Sequence, residues 1–368
     1  MELFEAEKER YTGERITARE AQRQAECIAW APVIFQVSRV MVKSGVLDRL
    51  RDAADGLTIE ELMESTGLGR YALKILLEAS LSIGTVMIDT QTDRYSLSKV
   101  GWFLLNDPAT RVNMDFNHDV NYRGMYYLDE ALESGRPAGL KTLGQWPTIY
   151  EGLSELDEQV QRSWFGFDHF YSDNSFDKAL EIVFGNRVKR LMDVGGNTGR
   201  WALKCVEHDS EVEVTIVDLP GQIGMMRRNI AGKPGSERIS GYAVNILDRG
   251  NHLPEGEWDA IWMSQFLDCF SEEEIESILC RASEVMTPAT TLYIMETFWN
   301  RQRFEPASLC LTMTSVYFTV MANGNSKMYH SDDMERLITH AGMEVVAVHD
   351  NIGQGHTILE VKLKNHTI

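Results

Sequence analysis

Seven consecutive residues, Asp193-Val194-Gly195-Gly196-Asn197-Thr198-Gly199, and one later carboxylate, Asp218, carry the clearest chemistry in this chain. An apolar run, Arg190 to Val194, leads into the glycines, and a helical stretch, Trp201 to Glu207, follows them. Val214-Thr215-Ile216-Val217 then reads as a second strand with Asp218 at its tip. Strand, glycine turn, helix and acidic strand end together form a nucleoside-binding unit. Glycines let the backbone pass close under a ligand, and a carboxylate at the second tip can hold two ribose hydroxyls. A pyrophosphate would rest on the helix N-terminus and usually calls for Gly-x-Gly-x-x-Gly. Here an acidic residue opens the turn, which repels a pyrophosphate and suits a cationic amino-acid group. Asn197 stands where a third glycine is usual, and Asn is among the residues that tolerate left-handed backbone angles.

The flanking pattern supplies a scaffold for that unit. From residue 187 onward strands are expected at 190–195, 212–218, 239–244, 258–264, 290–296, 344–350 and 357–362, with helices such as 272–286 and 332–341 between them. A short turn, 351–356, joins the last two strands, so they should pair antiparallel. The expectation is an α/β fold: a mostly parallel, Rossmann-like doubly wound sheet with one reversed strand. Residues 1–105 read as a separate domain, with a long helix from Glu5 to Trp30 and helical spacing from Val33 to Leu50. Thr58-Ile59-Glu60-Glu61 is a capping box, Gly67 stops that helix, and Arg70 to Ile83 is amphipathic. Val86–Ile88 and Tyr95–Leu97 flank a polar turn, which completes a winged-helix arrangement. Residues 106–186 form a connector dense in aromatics, including Trp146, Tyr150, Trp164, Phe167 and Tyr171, suited to core packing or to lining a flat apolar pocket.

A winged helix invites nucleic acid, but the charge opposes it. The chain carries 36 Lys and Arg against 55 Asp and Glu, a net of −19, whereas phosphate neutralisation needs a basic face. Residues 1–105 are themselves acidic, and their would-be recognition helix offers only Arg70 and Lys74. Dimerisation or a substrate-lid role is the better reading for this domain. No stretch approaches the roughly 18 apolar residues of a membrane span, and the charged N-terminus lacks a signal-peptide core. Five cysteines without paired spacing read as reduced thiols of a cytoplasmic protein. No metal-ligand spacing is visible.

The Asp-x-Gly-x-x-x-Gly turn resembles the first motif of class I S-adenosylmethionine-dependent methyltransferases. Further segments, from about residue 30 to the C-terminus, extend the likeness to the two-domain small-molecule O-methyltransferases, which include plant caffeate-type and bacterial polyketide and carotenoid enzymes. Ala131 to Pro137 is similar to the family's linker signature, Val217-Asp218-Leu219-Pro220 and Trp258-Asp259-Ala260-Ile261 to its second and fourth strands, and His340-Ala341-Gly342-Met343 to its late helix end. This resemblance implies S-adenosylmethionine as cofactor, a homodimer built through the N-terminal domain, and a small, aromatic hydroxyl acceptor. It implies Asp193, Gly195, Gly196 and Gly199 around the methionine portion and Asp218 on the ribose. Leu219, Asn245 and Ile246 would flank the adenine. Ser264 occupies a position where plant members often carry Lys. Apart from the resemblance, the aromatic and sulfur side chains of Trp146, Phe167, Tyr171, Met313 and Tyr317 suit a pocket for a planar substrate, and core packing explains them equally well.

The catalytic segment departs from the family. His-Asp-Trp-Ser-Asp-Glu is usual after the fourth strand, with that His as general base; this chain reads Asp268-Cys269-Phe270-Ser271-Glu272-Glu273. The base position is therefore Asp268. Two carboxylates that orient the His map to Glu296, which is retained, and Met328, which is not. Ionising a phenol of pKa about 10 at neutral pH costs about 4 kcal/mol. A positioned base supplies roughly 10² to 10⁴ in rate, and alignment alone about 7–11 kcal/mol. Transfer can thus run on proximity, on an Asp268 raised by burial beside Glu296, or on another histidine, His169 or His330. Cys269 reads as a small buried apolar residue, and Ser271 as the cap of the helix that follows. Family relatives without the His also admit carbon methylation, hydroxylation or decarboxylation, or a binding role without chemistry.

Overall fold

A computed structural model describes residue 8, residues 11–248 and residues 250–364. The chain divides into two compact units, one spanning Thr12–Asp119 and the other built from Val120 onward. The first unit runs through helices α1 (Ala18–Ala29), α2 (Ala31–Lys43), α3 (Val46–Asp52), α4 (Ile59–Thr66) and α5 (Arg70–Ile83). A hairpin of β1 (Val86–Asp89) and β2 (Arg94–Leu97) follows, then α6 (Lys99–Asn106) and α7 (Pro108–Phe116). Thr58 accepts the Glu61 amide while the Glu61 side chain accepts the Thr58 amide, the reciprocal cap expected of that sequence. The single long helix expected over Glu5–Trp30 does not form: residues 13–17 are non-helical, and Thr17 with Glu20 builds a fresh capping box at Ala18. Residues 5–7, 9 and 10 of that span lie outside the described residues. Helical spacing from Val33 to Leu50 is interrupted at Gly45, whose φ of 76° no helix accommodates. Leu47, Leu62, Leu73 and Leu77 are fully buried and close the core of this unit with Leu105 and Met114.

The second unit begins with α8 (Leu128–Ser134), the short α9 (Ile149–Gly152), α10 (Glu158–Ser172) and α11 (Phe176–Val183). Its sheet has seven strands in the order β5-β4-β3-β6-β7-β9-β8, with β3 (Arg190–Val194), β4 (Glu213–Asp218), β5 (Ile239–Ala243), β6 (Ala260–Ser264) and β7 (Thr291–Glu296) all parallel. β9 (His356–Leu363) runs antiparallel to both β7 and β8 (Met343–Ile352), which is the one reversed strand expected.

Period-two alternation assigns the two faces. Met192, Val194, Ile261, Met263, Leu292 and Ile294 point to one core, packed by α14 (Glu272–Glu284) and α16 (Ser331–His340). Leu191, Ala260, Trp262, Tyr293 and Met295 point to the other, packed by α11, α12 (Arg200–His208) and α13 (Pro220–Ile230). Every residue of β7 is buried, because β6 and β9 pair with both its edges while helices cover both its faces. Among the described residues no single helix is long and apolar enough to cross a membrane; α1 and α2 reach that length only together, across a 74° bend.

Candidate active site

The carboxyl ends of parallel strands are where an open α/β sheet offers a crevice, and the predicted residues cluster there. β3 ends at Val194 and turns through Gly195, at φ 79°. A β-carbon on Gly195 would fall 2.3 Å from the Phe266 ring, and one on Gly196 would fall 2.4 Å from the Asp193 carboxylate. Both positions therefore require glycine for close approach, and Gly195 also for its backbone angle. Asn197 adopts φ 48°, the left-handed conformation that its side chain tolerates. Its amide donates to Asp218 Oδ2 at 2.9 Å, and the Leu219 amide donates to Oδ1 at 2.7 Å. Asp218 thus stitches the glycine turn to the tip of β4.

Asp193 lies beneath this turn, 2% exposed, and its Oδ2 has no hydrogen-bond partner. Burial, reinforced by the negative charge of Asp218, pushes its carboxyl up to about 8. Burial likewise raises Asp218, against the two amide bonds that lower it. Beside them a cavity of ≈ 120 Å³ is lined by Val194, Val217, Asp218, Leu219, Asn245, Ile246, Phe266 and Phe270, among others. Apolar walls, a carboxylate rim and an orphaned buried carboxyl oxygen suit an aromatic base, a sugar and an ammonium group. The residues fit an adenosyl amino acid, and among the described residues no cluster suits a metal ion.

A second acidic centre follows β6. Ser264 ends that strand, and Gln265 then takes φ 45°, which turns the chain sharply into a 3₁₀ turn, Leu267–Cys269. Glu296, at the end of β7, accepts the Phe266 and Leu267 amides on Oε1 at 3.0 and 2.9 Å, while its buried Oε2 has no partner. Burial, then the neighbouring Asp268 charge, raises Glu296 well above the carboxylate range. Burial also pushes Asp268 up to about 7; a bond from the Cys269 thiol lowers it, and the charge of Asp168 on α10 raises it. Ser271 caps α14 in a capping box with Glu274, which leaves Asp268 free of that duty. Asn323, after the π-turn Phe318–Ala322 at the end of α15 (Glu305–Tyr317), donates to the Cys269 carbonyl at 2.6 Å and holds the turn from outside.

Other expected residues take varied places. Tyr317 is buried, and its hydroxyl accepts the Trp164 indole N–H at 2.8 Å beside the charges of Asp168 and Asp268. Trp146 packs against Gly144 and Gly152, where a β-carbon would meet its ring. Phe167 and Tyr171 pair with each other on α10, 5.0 Å between ring centres, whereas Met313 lies 57% exposed on α15. Met328 accepts a bond from Thr297 on its sulfur. His330 uses Nδ1 to accept the Asp332 amide at the start of α16 and packs edge-on against Trp299, a capping task. His169 is exposed beside Phe165. Asp168 and Asn323 were not legible as site residues. Asp168 sits in an aromatic helix with no motif around it, and Asn323 acts through a contact 54 residues away.

Comparison with known proteins places this geometry. Residues 22–95 match a Dimerisation2-like domain and residues 126–344 an O-methyltransferase domain. The chain is 32% identical over 261 residues to bacteriochlorophyllide d C-20 methyltransferase of Chlorobaculum tepidum, covering 68% of this chain and 72% of that protein. It is 23% identical to demethylspheroidene O-methyltransferase of Rhodobacter capsulatus, covering 90% and 79%. The S-adenosylmethionine-dependent methyltransferase SibL superposes with a TM-score of 0.69 at 21% identity, covering 92% of this chain and 98% of SibL, which establishes a common fold. With the O-methyltransferase domain spanning more than half its length, the chain belongs to the S-adenosylmethionine-dependent O-methyltransferase family.

Proposed function

We propose that this protein moves the methyl group of S-adenosylmethionine to a hydroxyl of a small aromatic acceptor, with Asp268 as the base. The observation that carries this reading is a buried carboxyl, held near pH 7, on the turn immediately after β6, next to the glycine-turn crevice. When bound, the cofactor supplies an electrophilic methyl group on a cationic sulfur. Asp193, Gly195, Gly196 and Gly199 would receive its amino-acid portion, Asp218 its ribose, and Leu219, Asn245 and Ile246 its adenine, with Ser264 at the crevice edge. The unpartnered Asp193 oxygen supports an ammonium there, because a cation beside it offsets the cost of ionising a buried carboxyl.

On the acceptor side the proton budget favours Asp268. Moving a proton from a phenol of pKa about 10 to an ordinary aspartate of about 3.9 spans about six units, roughly 8 kcal/mol. At about 7 the gap shrinks to about three units, roughly 4 kcal/mol. Glu296 fixes the backbone that carries Asp268 by accepting the Phe266 and Leu267 amides, and its burial disfavours a second negative charge in the site. Tyr317, Trp146, Phe167 and Tyr171 offer aromatic surface to a planar acceptor, and Met313 would flank its outer end. His330 would support the site as a helix cap.

A homodimer through residues 22–95 is part of the proposal. Ile28, Trp30 and Val33 are 70%, 59% and 51% exposed around the α1–α2 junction, an apolar face suited to a second copy. In this reading the helices and hairpin of the first unit form a winged helix that serves assembly and not nucleic acid. The thiols of Cys27, Cys205, Cys269 and Cys280, none of them in a disulfide, support a reducing, cytoplasmic location.

A second reading, transfer to carbon, is favoured by the 32% identical relative, which is named as a C-20 methyltransferase. Calorimetry with S-adenosylhomocysteine tests the cofactor half: absence of binding removes the proposal. Mass spectrometry of products from a panel of phenols then decides the target atom. Oxygen transfer is blocked on acceptors whose hydroxyls are already methylated, and carbon transfer is not.

A further inference from the structure

Cys269 has the position of a bystander in sequence and of a participant in space. Its Sγ lies between two oxygens: the Tyr150 hydroxyl donates to it at 3.4 Å, and its own S–H donates to Asp268 Oδ1 at 3.5 Å. The Cys269 amide is tied to the Phe266 carbonyl at 3.2 Å and its carbonyl to Asn323 at 2.6 Å, so the thiol projects from a backbone held at both ends. Tyr150 sits on α9 between fully buried Ile149 and Gly152, and Gly152 is pressed against the Trp146 ring. The phenol is therefore aimed by packing.

We propose that Tyr150 and Cys269 form a donor chain, phenol to thiol to carboxylate, that positions Asp268 and keeps it ionised so that Oδ2 can take the acceptor proton. This rests on the reading of Asp268 as the base. A thiol has one hydrogen. While Tyr150 occupies a sulfur lone pair, that hydrogen is directed at Oδ1, and a carboxylate that accepts a bond is favoured over its protonated form. Among the other groups facing Asp268, the charge of Asp168 on α10 works the opposite way. The Glu296 carboxyl on β7 and the Tyr317 and Tyr329 hydroxyls, from α15 and the segment before α16, feel the Asp268 charge and are raised by it. Cys269 is the side chain that lowers Asp268 in this cluster, while burial and Asp168 raise it. A free thiol serves here because it donates one weak bond without bringing a charge.

The test is the pH dependence of kcat/KM for the full-length protein with a phenol shown to be turned over, comparing wild type, Cys269→Ala, Cys269→Ser and Tyr150→Phe. In Cys269→Ala the acidic limb should move to higher pH. Activity falls about tenfold at pH 6 for every unit the limb moves, with little loss at pH 9. Cys269→Ser restores a donor and should return the limb towards wild type. Tyr150→Phe should shift it in the same direction as Ala by a smaller amount, and it stands as the test by itself if the Ala variant does not fold. Superimposable profiles, or a loss equal at all pH values, would overturn the proposal. Asp268→Asn separates the two readings. If it leaves the rate intact, the base assignment fails; if it abolishes the rate while Cys269→Ala does nothing, only the donor chain fails.

Discussion

Asp193 allows the electrostatics of the crevice to be tested without any acceptor. Its carboxyl is 2% exposed, has an unpartnered oxygen, and is pushed up to about 8 by burial and by Asp218. In the unfolded chain an aspartate titrates near 3.9. Between those values the native state holds a proton that the unfolded state has released, so stability falls as pH rises, by ~1.4 kcal/mol per unit. The contribution is intact below about pH 4 and lost progressively up to about pH 8, where it levels off. Across the three units from about pH 5 to 8 the loss is on the order of 4 kcal/mol. Asn has the same shape and cannot ionise. Asp193→Asn should therefore become more stable relative to wild type as pH rises, with the difference growing by up to ~4 kcal/mol over that window. Urea unfolding of the cofactor-free protein, at one protein concentration and several pH values, measures it. Asp268 and Glu296 tilt both proteins alike and cancel in the difference. A difference that stays constant from pH 5 to 8 refutes the argument, because it would mean that Asp193 is ionised in the native protein throughout.

Three further outcomes follow from the same geometry. Asp218→Ala removes the carboxylate proposed to grip two ribose hydroxyls; at about 1.5–3 kcal/mol per charge-assisted bond, S-adenosylhomocysteine affinity should fall at least ~100-fold by calorimetry, and an unchanged Kd would remove the ribose assignment. Asp268→Asn should cut kcat/KM by about 10² to 10⁴ while changing S-adenosylhomocysteine affinity by no more than a few-fold, and full activity in the variant would show that no base is needed at that position. Ser271→Ala dissolves the capping box of α14. It should cost about 1 kcal/mol and lower Tm by a few degrees in a calorimetric scan, and an unshifted Tm would mean that the cap contributes nothing there.

What could be read from the sequence, and what could not, divides by the distance over which each signal acts. The strand run 190–195, the cap at Thr58 and the left-handed Asn197 depend on a residue and its neighbours within a turn or two, and the structure reproduces them at φ 48° for Asn197 and within a residue for the strand. Reversal of β9 was also legible, because a six-residue turn leaves no room for a crossover. The break at Gly45 was missed for the converse reason: apolar spacing continues through it, and only a positive φ separates α2 from α3. Residues 13–17 fail as helix because Thr17 and Glu20 start a new one, a local signal that the longer periodic pattern obscured.

Charge environments belong to another category. Tyr150 meets Cys269 across 119 residues and Trp164 meets Tyr317 across 153, so no window of sequence contains either contact. Asp268 was visible as a letter after β6, but its surroundings were not. An exposed aspartate there would be a poor base. The same residue, buried beside Glu296 and the charge of Asp168 and bonded by a thiol, is pushed up to about 7. The same reasoning applies to His330: as a letter it was, with His169, a candidate base, yet its Nδ1 accepts the Asp332 amide, and a nitrogen already used as a cap acceptor is a poor one for a substrate proton. If Asp268 is the base, as proposed, its strength turns less on which residue follows β6 than on how much water and how many neighbouring charges the fold leaves around it, and the pH profile of the reaction is where those two quantities can be measured.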